Sequence, residues 1–303
     1  MFTPHLSMYS LWLATKAKSM TVSIAHLGPS GTNAEQVALA YLNKVQQETG
    51  QKATLCPYPS IAKTLKAVAQ GGADVAVVPV ENSIEGSVTV TLDMMWQLDM
   101  LQIQLALVLP IAHTLISHAQ TLESIQTVYS HPQALAQCQI WLEQFMPQAQ
   151  LIPTNSTTEA LQPLEKENKA AAIASPRAAQ LYNLPILATG ISDYPDNCTR
   201  FWVVSQGECH IIGSHTSLAF SLPANLPGSL LKPLQVFAQR GINLSRIESR
   251  PTKRSLGEYL YFIDLEGSTN SPAVQSALAE LTAYTEVLKN FGSYKVMPLK
   301  EGR

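Results

Sequence analysis

Short apolar runs and helical repeats alternate along the first two thirds of the chain. The run TVSIAHL at 21–27 predicts a strand, and Val37, Tyr41 and Val45 recur at the fourfold spacing of a buried helix face. The apolar run DVAVVPV at 74–80 is typical of a strand that is buried on both faces. This alternation predicts an α/β domain with a largely parallel sheet.

Further helices are predicted behind turn residues. Ser60 precedes a helical pattern with Ile61 and Leu65 on one face, as expected of an N-cap. Longer helical stretches are predicted at 132–145, which opens on a proline, and at 157–168.

The pattern changes after residue 207. The predicted elements are a strand at 215–223, a helix at 228–240, strands at 243–251 and 257–267, a helix at 272–284 and a strand near 293–296. The order strand, helix, strand, strand, helix, strand within about ninety residues is that of the ferredoxin-like fold.

These patterns divide the chain into four segments. We expect a disordered extension at 1–20, which contains no acidic residue, and an α/β domain at 21–206. A linker at 207–214 would then lead to the ferredoxin-like domain at 215–300.

The charge composition excludes several classes of protein. A total of 20 Lys and Arg residues against 22 Asp and Glu residues gives a net charge of −2 at pH 7, which argues against a nucleic-acid partner. Apolar residues make up 46% of the chain, enough for a buried core. Charged residues make up only 14%, so we expect part of the surface to be covered in a homo-oligomer.

The cysteines and histidines form no recognisable metal or disulfide pattern. The 4 cysteines include no C-x-x-C pair, and the 7 histidines include no H-E-x-x-H motif. The longest apolar stretch, at 105–112, is too short for a membrane span and contains Pro110. We therefore expect a cytoplasmic protein with reduced thiols, no metal and no membrane association.

Polar motifs follow predicted strands, where open α/β sheets place their ligands. The motif GPSGT at 28–32 is typical either of a backbone cradle for an anion or of a plain tight turn. The run VENSIEGS at 80–87 suits a polar site, or an ordinary loop in which Ser87 caps the next helix. Ser130 ends a third strand, where helix capping alone would also explain it.

A fourth motif, NCTRF at 197–201, opens the last strand of the α/β domain. Thr199 and Phe201 should face one side of this strand and Arg200 the other. A hydroxyl, an aromatic ring and a guanidinium group suit an anionic substrate with a ring. The alternative to a substrate site is an ordinary strand, made of common β-forming residues and one arginine at its edge.

The ordered set of motifs resembles the prephenate dehydratase family. The resemblance rests on GPSGT, VPVENSIEGSV, YSHPQALAQC, NCTRF, LPGSL and GINLSRIESRP and runs from about residue 22 to about residue 296. It implies a two-lobed α/β catalytic domain similar to periplasmic binding proteins, followed by a ferredoxin-like ACT regulatory domain.

The resemblance implies conversion of prephenate to phenylpyruvate with loss of CO2 and water, without cofactor or metal. Thr199 would donate to the departing hydroxyl, Arg200 or its neighbouring backbone would hold carboxylate charge, and Phe201 would wall the ring. Further binding or catalytic positions are Glu81, Asn82, Ser83, Ser130 and Gln137. Backbone N–H groups of the loop formed by Gly28, Ser30, Gly31 and Thr32 would hold an anionic group.

The ACT domain would bind L-Phe at a subunit interface in a homodimer or homotetramer. The positions that match the effector region of the family are Leu230, Asn243, Leu244, Glu248 and Ser249. Two alternatives stay open at this point. One is arogenate dehydratase, whose substrate carries an amino acid in place of the keto acid, and the other is a non-catalytic amino-acid-binding regulator.

Overall fold

The structure is a computed structural model that describes residues 21–207 and 213–299. The extension predicted at 1–20 and residues 208–212 of the predicted linker lie outside the described residues.

The chain builds two lobes and a C-terminal module. The first lobe contains β1 (Thr21–Leu27), α1 (Asn33–Thr49), β2 (Lys52–Tyr58), α2 (Ile61–Ala69), β3 (Val75–Asn82), β4 (Gly86–Ser87), α3 (Thr89–Gln97) and β5 (Leu101–Pro110). The second lobe contains β6 (Thr114–Ile116), β7 (Thr127–Ser130), α4 (Pro132–Ala136), α5 (Gln139–Phe145), β8 (Gln150–Pro153), β9 (Ala170–Ala174), α6 (Pro176–Leu181) and β10 (Ile186–Ala188). Short 3-10 helices lie at Leu122–Ser124 and Glu159–Glu165.

Strand β11 (Cys198–Gln206) then returns to the first lobe. The C-terminal module contains β12 (His215–Ser221), α7 (Leu231–Ala238), β13 (Leu244–Pro251), β14 (Tyr259–Glu266), α8 (Pro272–Leu281) and β15 (Val287–Pro298). The predicted βαββαβ order is therefore present.

The first lobe and the C-terminal module share one sheet. Its strand order is β13-β14-β12-β15-β5-β11-β3-β1-β2, with β4 paired to β3. The two halves are joined where the end of β15 runs parallel to β5, from Lys295 opposite Leu105 to Pro298 opposite Val108. The second lobe has its own sheet in the order β10-β6-β9-β7-β8.

The sheets are mixed rather than largely parallel. In the first lobe β1 runs parallel to β2 and β3, but β11 runs antiparallel to both of its neighbours, β3 and β5. In the second lobe β7 runs parallel to β8 and β9, while β6 is antiparallel. Strands β6 and β11 are also the first strands after the chain passes from one lobe to the other.

Some predicted helices are shorter than their apolar patterns suggested. The stretch at 132–145 forms two helices, which are separated near Gln137 and Cys138. The stretch at 157–168 forms only the 3-10 helix Glu159–Glu165, which contains Pro163. Because proline has no N–H group, it cannot donate the bond that continues an α-helix. The helix predicted at 228–240 likewise covers only Leu231–Ala238.

The described helices are also short compared with a bilayer. The longest of them, α1, has 17 residues, whereas a span needs about 20. Within residues 21–207 and 213–299, no helix combines the length and apolar character needed to cross a membrane.

One hydrophobic core holds the first lobe and the C-terminal module together. Trp202 on β11 and Met95 on α3 are fully buried, and they belong to the same cluster as Phe262 and Tyr294 of the module. The opposite face of the module's sheet packs on α7 and α8 through a second cluster that includes Phe220. Side-chain alternation along the module's strands thus divides them between two cores.

Truncating Trp202 should destabilise the lobe and the module together. The change Trp202→Ala removes a fully buried side chain, which costs about 3–5 kcal/mol in the free energy of unfolding. Urea unfolding followed by circular dichroism measures this loss. The exposed Tyr194→Ala is the control and should change the free energy of unfolding by less than about 0.5 kcal/mol. Equal effects of the two substitutions would contradict the shared core.

Candidate active site

A cleft of about 770 Å³ lies between the two lobes. The first lobe contributes Gly28, Thr32 and Asn82, and the second contributes His131 and Gln137. The segment that leads from β5 to the second lobe contributes His113, and strand β11, which follows the return of the chain to the first lobe, contributes Thr199 and Phe201. Of the site residues predicted for the catalytic domain, those that line this cleft are Gly28, Thr32, Asn82, Gln137, Thr199 and Phe201.

Strand β11 brings Thr199 and Phe201 to the cleft because alternate side chains share a face. Asn82 of the neighbouring strand β3 lies opposite Thr199 and donates from its Nδ2 to Thr199 Oγ1 at 3.0 Å. Since Oγ1 accepts this bond, the Thr199 O–H is left to donate to a molecule in the cleft.

A chain of side-chain amides orients this pair. Asn82 Nδ2 also donates to Asn197 Oδ1 at 2.8 Å, and Asn197 Nδ2 donates to Gln137 Oε1 at 3.0 Å. Asn82, Asn197 and Gln137 are all buried, so each amide depends on these partners. Gln137 Nε2 reaches Glu85 Oε1 at 3.3 Å, which links the second lobe to the loop after β3.

His113 ends the same network. Its Nε2 lies 2.9 Å from Gln137 Oε1, so that nitrogen must carry the hydrogen. Burial lowers the pKa of the imidazole, and the hydrogen bond to Gln137 opposes this effect only in part. His113 is therefore a neutral side chain in the wall of the cleft at pH 7.

The lowered pKa of His113 predicts a loss of stability in mild acid. An unfolded histidine binds a proton below its usual pKa of about 6.5, whereas buried His113 resists protonation, so the free energy of unfolding should fall as the pH drops below that value. Thermal unfolding at pH 7.5 and pH 5.5 measures this fall.

The variant His113→Gln should lose part of the pH dependence because it cannot titrate. His118→Gln, at an exposed position of the same lobe, is the matched control and should behave as the wild type. An unchanged pH dependence in His113→Gln would contradict a neutral, buried His113.

Ser83 does not line the cleft; it binds the first residue of β11. Its Oγ accepts from the backbone N–H of Cys198 at 3.0 Å, and its own N–H donates to the Cys198 carbonyl at 2.9 Å. Ser83 Oγ also lies 3.3 Å from Asn197 Oδ1. The residues just before Thr199 are thus tied to the loop that follows β3.

The Arg200 side chain does not reach the cleft, so of the two groups expected to hold substrate carboxylate, Arg200 or its neighbouring backbone, only the backbone remains a candidate. Its side chain lies on the opposite face of β11, and Nη2 contacts Glu81 Oε2 at 2.6 Å and Asp264 Oδ2 at 2.7 Å. Glu81 shares that face of the sheet, so it does not line the cleft either. Strand alternation forces this separation, because Thr199 and Arg200 are consecutive.

Ser130 is buried behind the cleft. Its hydroxyl donates to the Ile173 carbonyl at 2.7 Å and joins β7 to the neighbouring strand β9. His131, not Ser130, is the N-cap of α4, and its Nδ1 accepts from the Gln133 N–H at 3.3 Å. Ser130 therefore supports the sheet beneath the site in this structure.

Some residues of the loop at 28–32 line the cleft, and others lie in the interface between the two lobes. Gly28 and Thr32 line the cleft, but the Gly31 N–H donates to Glu35 Oε2 at 2.8 Å. Glu35 also pairs with Arg177 of the second lobe at 2.8 Å. Burial raises the pKa of Glu35, but the Gly31 N–H and Arg177 outweigh burial and keep it below its usual value.

Gly31 is required by this contact. Its φ of 86° is left-handed, and a Cβ there would lie 2.9 Å from Thr158 Cγ2 in the second lobe. The Ser30 carbonyl accepts from Tyr182 Oη, also of the second lobe, at 3.4 Å. Ser30 and Gly31 thus stand where the lobes touch, beside the cleft.

The cleft offers dipoles rather than formal positive charge. In the part of the chain that the structure describes, its lining contains no Lys or Arg side chain. Asn33 and Ala34 in the first turn of α1 line it, and their N–H groups precede the first intrahelical bond. Among the described residues, no three His, Cys, Asp or Glu side chains are grouped to hold a metal ion.

The sequence motifs did not identify every residue of the site. His113 lies outside all of the motifs, and nothing in its local sequence signals the site. Asn197 belongs to the NCTRF motif, but the motif predicts no role for it, although it links Asn82 to Gln137. The loop at 155–158 also lines the cleft, although the apolar pattern predicts a helix from residue 157 onward.

Four of the predicted effector residues lie on or directly before the edge strand β13, and the fifth, Leu230, directly precedes α7. Leu230 and Leu244 pack against the core of the C-terminal module, and Asn243 and Ser249 are exposed. Glu248 reaches the first lobe, where Ser87 Oγ donates to its Oε2 at 3.1 Å. Ser87 therefore binds Glu248 and does not cap α3, although a helix cap was the other role that its position allowed. Helix α3 begins without a side-chain cap.

Comparison with known families agrees with this arrangement. The family model described as prephenate dehydratase matches residues 24–209, and the ACT domain model matches residues 216–283. The chain belongs to the prephenate dehydratase family. The resemblance found in the motifs is confirmed, and so is the plan of a two-lobed α/β domain followed by an ACT domain.

Relatives match almost the whole chain. A bifunctional chorismate mutase/prephenate dehydratase of Aquifex aeolicus is 41% identical over 92% of this chain and 75% of that protein. A prephenate dehydratase of Lactococcus lactis subsp. cremoris is 38% identical over 92% of this chain and all of that protein. The crystal structure of the Arthrobacter aurescens prephenate dehydratase in complex with L-Phe is 37% identical, covers 90% of each chain and has a TM-score of 0.80.

Membership in the prephenate dehydratase family makes the chain an enzyme, a decarboxylating dehydratase of the lyase class. The comparisons do not favour the two alternatives, arogenate dehydratase and a non-catalytic regulator.

Proposed function

We propose that the cleft binds prephenate and that Thr199 donates its hydroxyl hydrogen to the departing ring hydroxyl. The observation that carries this proposal is the bond from Asn82 Nδ2 to Thr199 Oγ1, which directs the O–H away from β3. Phe201, on the same face of β11, offers a flat apolar wall for the ring.

The reaction needs little from the protein beyond placement and proton donation. The C–O bond to the hydroxyl breaks as a proton, which comes in net terms from solvent, reaches the oxygen, and water leaves. The bond to the ring carboxylate breaks, its electrons enter the ring, and CO2 leaves. Because the product ring is aromatic, the driving force lies in the substrate, and the enzyme contributes orientation and hydrogen bonds.

Thr199 acts as a hydrogen-bond donor or proton relay, since an alcohol is a very weak acid. Accepting a bond from Asn82 polarises its O–H group. Asn82 is in turn fixed by Asn197 and Gln137, so the donor is aimed before substrate arrives. Ser83 supports it from the neighbouring backbone.

The carboxylates of prephenate would be held by N–H groups and neutral polar side chains. The first turn of α1, at 33–34, presents free N–H groups beside Gly28 and Thr32. On the second lobe, Ser156 and Thr158 line the same cleft. Contacts from both lobes favour a closed state that excludes water.

We also propose that L-Phe binds the ACT domain and inhibits the enzyme. The Arthrobacter aurescens prephenate dehydratase, solved in complex with L-Phe, supports this effector. Leu230, Asn243, Leu244, Glu248 and Ser249 remain the candidate positions. A ligand there inhibits only if it binds a less active conformation more tightly.

A homodimer or homotetramer is the assembly that we propose. Strand β13 ends the shared sheet, so one of its edges has no strand partner among the described residues. Exposed apolar side chains lie on the same module, including Leu231, Ile247 and Leu256. An open edge beside apolar surface is suited to a second copy of the chain.

Removing the Thr199 hydroxyl should abolish most turnover. We expect Thr199→Ala to lower kcat for prephenate by about 100- to 10,000-fold, the usual contribution of a positioned proton donor. Phenylpyruvate release, followed by ultraviolet absorbance, measures kcat. L-Phe binding, measured by calorimetry, should be nearly unchanged because the ACT domain is not altered.

Two further variants accompany this experiment. Thr199→Ser keeps the hydroxyl and should retain more activity than Thr199→Ala. Thr121→Ala, at an exposed position of the second lobe, should match the wild type. Full turnover in a folded Thr199→Ala variant would contradict the donor role.

A further inference from the structure

Two cross-strand pairs lie back to back where β11 meets β3. Thr199 pairs with Asn82 on the cleft face, and the next pair, Arg200 with Glu81, lies on the opposite face. Arg200 Nη2 bridges Glu81 Oε2 at 2.6 Å and Asp264 Oδ2 at 2.7 Å. A displacement of the Arg200 backbone would therefore also move Thr199, its neighbour in β11.

Asp264 belongs to the ACT domain, not to the catalytic lobes. It lies on β14 and is completely buried. Besides Arg200, it accepts from Arg246 Nε at 2.9 Å through Oδ2 and from Ser217 Oγ at 2.5 Å through Oδ1. Ser217 is itself in contact with Tyr294 Oη at 2.7 Å.

The charges of this cluster balance. Two guanidinium groups, of Arg200 and Arg246, face two carboxylates, of Asp264 and Glu81. Burial alone raises the pKa of Asp264, but Arg246 and Arg200 outweigh burial and hold it below its usual value. A buried ion pair that loses one partner leaves an uncompensated charge. Without a charged Asp264, Arg200 would keep only its ion pair with Glu81, which lies on β3.

We propose that Asp264 is a positioning residue of the active site, supplied by the ACT domain, which anchors Arg200 and so fixes Thr199 and Asn82 in the cleft. This proposal rests on the proposed function of Thr199. Asp264 has no access to the cleft, so it acts only through the strand. Its loss should therefore affect the chemical step more than the binding of substrate.

The test is the isosteric variant Asp264→Asn, which keeps the shape of the side chain and removes its charge. We expect kcat for prephenate to fall at least tenfold while KM changes less than about threefold, because Asp264 touches no substrate. Circular dichroism and a thermal melt establish that the variant is folded.

Asp93→Asn is the matched control. Asp93 lies on α3 and also joins the catalytic lobe to the ACT domain, by ion pairs with Arg250 at 3.2 Å and Lys253 at 2.6 Å. It contacts neither β11 nor β3 in these ion pairs. The same chemical change at this second junction should leave kcat within about twofold of the wild type.

Ser217→Ala covers the case in which Asp264→Asn does not fold. This variant keeps all four charges and removes only the hydroxyl that donates to Asp264. We expect kcat to fall about two- to fivefold with KM unchanged. Wild-type kcat in folded Ser217→Ala would then overturn the proposal.

The remaining outcomes separate the two proposals. A folded Asp264→Asn variant with wild-type kcat, or one whose decrease in kcat is matched by Asp93→Asn, overturns the positioning role and leaves the proposed function intact. A wild-type enzyme that does not turn over prephenate contradicts the proposed function and, with it, the positioning role.

Discussion

The opposite orientation of neighbouring side chains in β11 is the constraint on which the rest of the site depends. This strand lies between β5 and β3, with one face toward the cleft and the other toward the ACT domain. Thr199 and Phe201 therefore reach the cleft, while Arg200 and Trp202 reach Asp264 and the shared core. A strand of nine residues thus carries both the proposed chemistry and the attachment of the regulatory domain.

The shared sheet gives a physical route between the two functional regions. Strand β13 carries three of the candidate effector residues, and its Arg246 and Glu248 contact Asp264 and Ser87 respectively. Ser87 lies in β4, which pairs with Glu81 and Asn82 of β3. A ligand that displaces β13 would thus act on strands that hold the donor pair, without any contact with the cleft.

The sequence could predict those parts of the site that depend on local pattern. Alternation in NCTRF placed Thr199 and Phe201 on one face, and turn chemistry made Ser60 the cap of α2, as its bond from Lys63 confirms. Alternation also placed Arg200 on the opposite face, but it could not identify the partner, Asp264, which lies 64 residues away along the chain. The burial of Ser130 against Ile173 and the parallel pairing of β15 with β5 likewise depend on tertiary contacts that no local pattern encodes.

The most direct test of this account is an assay of phenylpyruvate release from prephenate, with and without L-Phe, beside an assay of phenylalanine release from arogenate. The account predicts rapid turnover of prephenate, suppressed by L-Phe, and little turnover of arogenate. No turnover of either substrate by a folded protein that still binds L-Phe would contradict it and would favour a non-catalytic regulator.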